Sequence, residues 1–232
     1  MDNKSIIGSQ AQASESSFIS KVYLWMSFGL MVSAAGSFWI LSQPALLKAV
    51  FTNNLLLFGL IGAELGLVIW LSAAIRTMGS GLAKGLFVGY SFLNGVTLAS
   101  VFLVYTGSSI VQTFLITAGT FFFFALYGST TKKDLTGVGN LAFMGLIGIL
   151  LASVVNIFLK SSALMWVTTF IGIAVFLGLI AYDTQKLKAL HAAGFENVEM
   201  EKKLAIMGAL TLYLDFINLF ILLLRIFGKR RD

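Results

Sequence analysis

The stretch ALMWVTTFIGIAVFLGLIAYDTQK, from Ala163 to Lys186, decides how the chain reads. From Ala163 to Tyr182 it carries no charge, and a helix needs about 20 such residues to cross the hydrocarbon core. It closes on Tyr182-Asp183-Thr184-Gln185-Lys186. The next apolar run, Leu204–Phe227, holds a second acid at its middle, Asp215, flanked by Leu, Phe, Ile and Tyr. A carboxylate at the centre of a membrane helix costs about 2.5–3.5 kcal/mol on insertion scales, so acids kept there are candidate functional groups.

The rest of the chain shares this character. Of 232 residues, 58% are hydrophobic and 11% charged, with a mean hydropathy of +0.91. That much apolar surface is solvated by a bilayer and not by water. Seven runs have crossing length: Val22–Leu41, Asn54–Ala74, Leu82–Tyr105, Ile110–Tyr127, Leu135–Phe158, Ala163–Tyr182 and Leu204–Phe227. The fold class is therefore all-α integral membrane, a seven-transmembrane-helix bundle forming one membrane domain over 22–232. Residues 1–21 are polar, lack the basic start of a signal peptide, and read as a flexible cytoplasmic tail. The links between spans are short and hold turn residues such as Gln43-Pro44 and Gly128-Ser129, except for a long one over about 183–203. The start of that link, Lys186-Leu187-Lys188-Ala189-Leu190, suits a helical continuation of the sixth span. Glycine pairs at Gly62/Gly66, Gly85/Gly89 and Gly145/Gly148 predict close helix packing.

Charge sets the expected orientation. Most of the 16 Lys and Arg residues fall in the N-terminal tail and in the second, fourth and sixth links. The positive-inside rule puts the N-terminus in the cytoplasm, which for a bacterial chain means the inner membrane. Arg225, Lys229, Arg230 and Arg231 end up outside if the last run crosses fully, and a re-entrant last element would keep them inside. The net charge of +6 reads as topology and gives no sign of a nucleic-acid partner. With no Cys and the single His191 in a polar link, thiolate metal sites, iron–sulfur clusters and a bis-histidine haem are excluded. A retinal protein is excluded too, because the last span has no interior lysine.

Gly208, Thr211, Asp215, Asn218 and Arg225 recur at steps of three, four, three and seven, which forms one polar stripe along the last helix. Such a stripe needs protein or water around it, so this seventh helix is expected at the centre of the bundle. Asp183 lies toward the cytoplasmic end of its span and Asp215 at a comparable depth on the next, so antiparallel neighbours bring them together. Two facing carboxyls in low dielectric cannot both carry a charge cheaply; they share a proton, or a hard cation such as calcium. The pair is thus a candidate pH sensor and ion gate. Arg76, at the cytoplasmic end of the second span, can pair with either aspartate or serve as a positive-inside anchor. Glu64, in the middle of that span, is a candidate ion-path residue with Thr211 and Asn218, or a packing residue.

The run Gly178-x-x-x-Tyr182-Asp183-Thr184-Gln185, followed by Leu214-Asp215-Phe216, resembles the transmembrane Bax inhibitor-1 motif family over nearly the whole chain. The resemblance implies two three-helix layers around a central seventh helix. It also implies a pH-sensitive calcium leak gated by an aspartate pair that matches Asp183 and Asp215. An arginine of the second helix belongs to the family's sensor, and Arg76 is the nearest match. Family members are also described as membrane interaction proteins that modulate cell-death pathways or, in bacteria, a membrane protease. The expected function is a pH-sensitive cation leak channel with no cofactor beyond calcium as permeant or bound ion. Its expected partners are the bilayer, protons, calcium and other membrane proteins; the alternative is a non-transporting interaction protein. An enzyme is not expected: an intramembrane aspartyl protease needs glycine-rich backbone beside its second aspartate, and Leu212-Tyr213-Leu214 stands there.

Overall fold

In the computed structural model the described residues are 3–231, with side chains described from Ser16. They form eight helices: α1 (Asn3–Leu41), α2 (Pro44–Thr52), α3 (Asn54–Ala74), α4 (Ser80–Val104), α5 (Gly107–Thr130), α6 (Thr136–Leu159), α7 (Ser162–Ala192) and α8 (Val198–Phe227). Seven of them, all but α2, are long and apolar enough to cross a membrane. The seven runs read from the sequence each fall on one of these, so the seventh span is α8.

Local chemistry explains the boundaries. Pro44 opens α2 at its first turn, where its missing N–H is no loss. Asn53 then caps α3, its side chain accepting from the N–H groups of Leu55 and Leu56 at 2.9 and 3.4 Å. Lys160 closes α6 in a left-handed conformation with φ of 50°. Asn197 starts α8 by accepting from Met200 N–H at 2.8 Å, just after Gly194 turns the chain at φ of 82°. The helical continuation expected over Lys186–Leu190 is present, α7 reaching Ala192, and because α8 already begins at Val198 the link over 183–203 shrinks to 193–197. The short helix α2 was not legible as a span, since nine residues cannot cross.

The first helix begins well before the first apolar run. Over residues 3–21 the backbone is helical and continuous with the first span. Phe18 is fully buried and its ring lies 4.9 Å from that of Phe195 and 5.5 Å from that of His191. Lys21 Nζ pairs with Glu201 at 2.7 Å.

Packing divides the chain into two compact units, one running to Val104 and including Leu190–Tyr213, the other made of Tyr105–Ala189 and Leu214–Asp232. In the first, α1 and α4 touch backbone to backbone. Ser33 Oγ donates to the carbonyl of Ser91 at 2.7 Å and Ser37 Oγ to that of Gly95 at 2.5 Å. A methyl on Gly95 would collide with the Ser33 backbone. In the second, Phe216 of α8 packs edge-on against Phe114 and Phe121 of α5, with ring centroids 5.3 and 5.6 Å apart. Gly172 of α7 admits Leu222 of α8, which lies 2.9 Å from where a Cβ would stand. The sequence pairs Gly62/Gly66 and Gly85/Gly89 do not serve this purpose: nothing lies within 4 Å of a Cβ on any of the four. Close approaches fall on Gly29, Gly36, Gly95, Gly128, Gly139 and Gly172, and of the pair Gly145/Gly148 on Gly145 alone, where Val175 Cγ2 lies 2.7 Å from a Cβ position.

Burial separates α8 from the others. In its most apolar window 72% is buried, against 39% for α7 and 6% for α3 and α6. The outward faces of α3 and α6 are instead large and apolar (Leu55, Phe58 and Ile69; Leu141, Met144 and Phe158), the surface a bilayer would cover.

Candidate functional site

Tyr182-Asp183-Thr184-Gln185-Lys186 lies on an unbroken part of α7, and each residue has a separate task. The Ala181 backbone packs directly on Gly128 of α5, and the Tyr182 ring lies on Gly139 of α6. A side chain at Gly128 would push α7 away and one at Gly139 would displace the Tyr182 ring, so the two glycines help fix where Asp183 stands. Thr184 is buried and returns its hydroxyl proton to the Ile180 carbonyl at 2.8 Å. Gln185 clamps the link before α6, accepting from Leu135 N–H at 2.9 Å and donating to the Lys133 carbonyl at 2.8 Å. Lys186 Nζ sits over the Tyr182 ring, 5.8 Å from its centroid.

This frame presents Asp183 to Asp215. The two carboxyls lie within side-chain hydrogen-bonding reach of each other. Asp215 is only 5% exposed, and its Oδ2 is buried without a hydrogen-bond partner among the described residues. Asp183 is half-buried and lines a cleft of about 540 Å³ with Gly139, Asn140, Tyr182 and Lys186. A second cleft of about 360 Å³ shares Tyr182 and Lys186 and continues to Lys132, Lys133, Asp134 and Thr136. Together they lead from the polar α5–α6 link to the first of the two acids. Asp134 at this mouth accepts from Thr136 Oγ1 and N–H at 2.6 and 2.9 Å, and those bonds hold its carboxyl below the usual carboxylate range.

The other sequence candidates have hydrogen bonds of their own. Glu64 is half-buried in α3 and has partners the sequence did not reveal. Thr97 Oγ1 donates to one carboxylate oxygen and Asn94 Nδ2 to the other at 3.3 Å. Asn94 Oδ1 in turn accepts from the Tyr213 hydroxyl at 2.8 Å, and that hydroxyl lies 2.6 Å from Ser33 Oγ. Thr211 and Asn218 are half-buried and donate back to their own helix, to the carbonyls of Met207 at 3.1 Å and Leu214 at 2.8 Å. Arg76 lies in the exposed turn after α3. Its carbonyl accepts from Lys203 Nζ at 2.8 Å, and among the described residues it forms no ion pair. Sequence reasoning missed Gln185 as a clamp and Gly128 and Gly139 as seats, because a glycine's seat depends on which helix arrives there.

Residues 15–232 match the family described as "Inhibitor of apoptosis-promoting Bax1". The chain is 52% identical over 223 residues to the inner membrane protein YbhL of Escherichia coli K12, covering 96% of this chain and 95% of that one. It is 42% identical to a Borreliella burgdorferi protein, covering 93% of each. A membrane protein of Streptococcus pyogenes serotype M1 is 35% identical, over 98% of this chain and 99% of its own. Matches of this extent take in every helix from Ser16 onward and both aspartates, and the chain belongs to the Bax inhibitor-1 family of integral membrane proteins.

Proposed function

We propose that the chain is a pH-gated calcium leak in which Asp183 and Asp215 form the gate. One observation carries this reading: two carboxyls face each other, one of them buried with an oxygen that has no partner among the described residues, and the other opens on a cleft. Buried like-charged groups at this distance repel by several kcal/mol, so one proton between them keeps the pair closed. Losing that proton leaves two anions that separate or recruit a cation. Calcium prefers six to eight oxygen ligands, and two carboxylates supply too few for a resident site. Among the described residues no group of three or more acids or histidines could hold a metal. A pair completed by water suits an ion in transit.

The α8 helix is the central helix; Arg76 acts as a sensor arginine that engages an aspartate in another state; Glu64, Thr211 and Asn218 border the ion path. The N-terminus is cytoplasmic and the protein resides in the inner membrane, as the name of the Escherichia coli relative has it for that protein. The protein is not an enzyme, and α8 runs unbroken through Asp215, with no opened backbone to receive a peptide. The alternative, a non-transporting interaction protein, makes the pair a structural lock.

Purified protein in proteoliposomes loaded with a calcium-sensitive dye tests the proposal. Flux that changes with pH supports it; no flux above empty vesicles at any pH favours the interaction protein.

A further inference from the structure

The unit formed by residues 105–189 and 214–231 carries another cleft, about 450 Å³ in volume, at its opposite end. Its place is set by α5, whose 24 residues span about 36 Å. Lys132 and Lys133 follow one end of α5. Tyr105 precedes the other end, where it forms a backbone bridge with Arg230, while Thr106 N–H donates to the Lys229 carbonyl at 2.9 Å. The C-terminal segment is thereby tied beside the cleft, which Arg225, Arg230, Tyr105, Asn156 and Trp166 line.

The polar chemistry of this cleft points one way. No Asp or Glu lines it, and among the described residues neither arginine has a carboxylate within ion-pairing distance. Asn156 has its oxygen engaged by Ser161 N–H at 2.9 Å, so what remains to it is the donor amide. Two guanidinium forks, an amide, a phenol and an indole N–H offer donors to an anion, and a guanidinium fork matches the paired oxygens of a phosphate. The rim is apolar and outward-facing: Ile157 is 68% and Trp166 41% exposed on faces suited to lipid. Tryptophan and tyrosine are the side chains that settle at a membrane–water boundary.

We infer that this cleft binds a phosphate diester anion, the headgroup of an anionic phospholipid whose acyl chains run along the Ile157 face of α6. This gives the C-terminal arginines a partner at the end of the unit remote from Lys132 and Lys133, where charge-based topology does not call for basic residues.

The test uses the full-length protein in detergent, with bound lipid counted by native mass spectrometry and thermal unfolding followed in parallel. The probes are phosphatidylglycerol, phosphatidylcholine and inorganic phosphate. Phosphatidylglycerol should bind and raise the melting temperature, and R225Q/R230Q should weaken it at least about tenfold, the scale of one lost charge-assisted hydrogen bond. K132Q/K133Q should bind it as the wild type does. Both arginines are exposed, so R225Q/R230Q should unfold at the wild-type temperature without lipid. Should it not, the competition arm decides on the wild type alone: phosphatidylcholine should displace the anionic lipid poorly. Equal binding of phosphatidylcholine, or undiminished binding by R225Q/R230Q, would overturn the inference. Displacement of the lipid by millimolar inorganic phosphate would overturn the lipid assignment in favour of the free anion.

Discussion

Gly128→Ala should destabilise the protein, although alanine is the better helix former. The new Cβ would land on the Ala181 carbonyl oxygen, with the Ala181 C and Cα atoms 2.8 Å away. All three are backbone atoms, so no rotamer change relieves the overlap and α5 or α7 must move. Overpacking of this kind costs about 3 kcal/mol, the upper part of its usual range. Alanine's helix propensity offsets about 1 kcal/mol, which leaves a net loss of about 2 kcal/mol. Gly62→Ala is the matched control: nothing lies within 4 Å of its Cβ, so only the propensity gain of about 1 kcal/mol remains. The two variants should differ by about 3 kcal/mol, or about 6–12 °C in melting temperature for a chain of this length. Thermal unfolding of both purified variants in one detergent measures it. Since Ala181 is two residues from Asp183, G128A should also disturb the pH response of flux. A G128A melting temperature at or above that of G62A would refute the argument that this glycine seats α7.

Three further outcomes follow from single contacts. Gln185→Ala should lower stability by about 1–2 kcal/mol for two lost hydrogen bonds and speed amide exchange at Leu135; unchanged exchange there would remove the clamp. Lys21→Ala should change stability by under about 1 kcal/mol, because the pair with Glu201 is 49% and 23% exposed and solvent screens it. Asp134→Asn should leave the pH response of flux untouched. The Asp134 carboxyl is held below its ordinary range, so its stabilising contribution is present above that range and lost only as pH falls through the lowered value. From about pH 6 to 8 it stays ionised. A shifted profile in D134N would show that the mouth contributes to sensing.

The seven spans and the two aspartates were legible in the sequence because a bilayer leaves a simple mark: long uncharged runs, with any acid inside them conspicuous. What the sequence did not carry was the pairing of surfaces. Gly62-x-x-x-Gly66 has the spacing of a packing motif yet faces open space, while Gly128, written next to Ser129 like a turn, seats α7. The partners of Glu64 were not legible because Asn94 and Thr97 lie on another helix, and their hydrogen-bonding capacity is invisible until α3 and α4 meet. The helical continuation over Lys186–Leu190 was legible, while the opening turns of α8 at 198–203 were hidden by their charges, since a polarity criterion ends a span where water begins and the helix continues beyond it.

The account stands or falls on whether Asp183 and Asp215 exchange a proton that controls ion passage. Calcium flux through proteoliposomes of wild-type, D183N and D215N protein, measured across one pH series on variants verified by thermal unfolding to be folded, addresses this directly. Asparagine keeps the size of the side chain and cannot titrate, so each variant should conduct at a rate that no longer varies with pH. Folded variants with the wild-type pH profile would contradict the account.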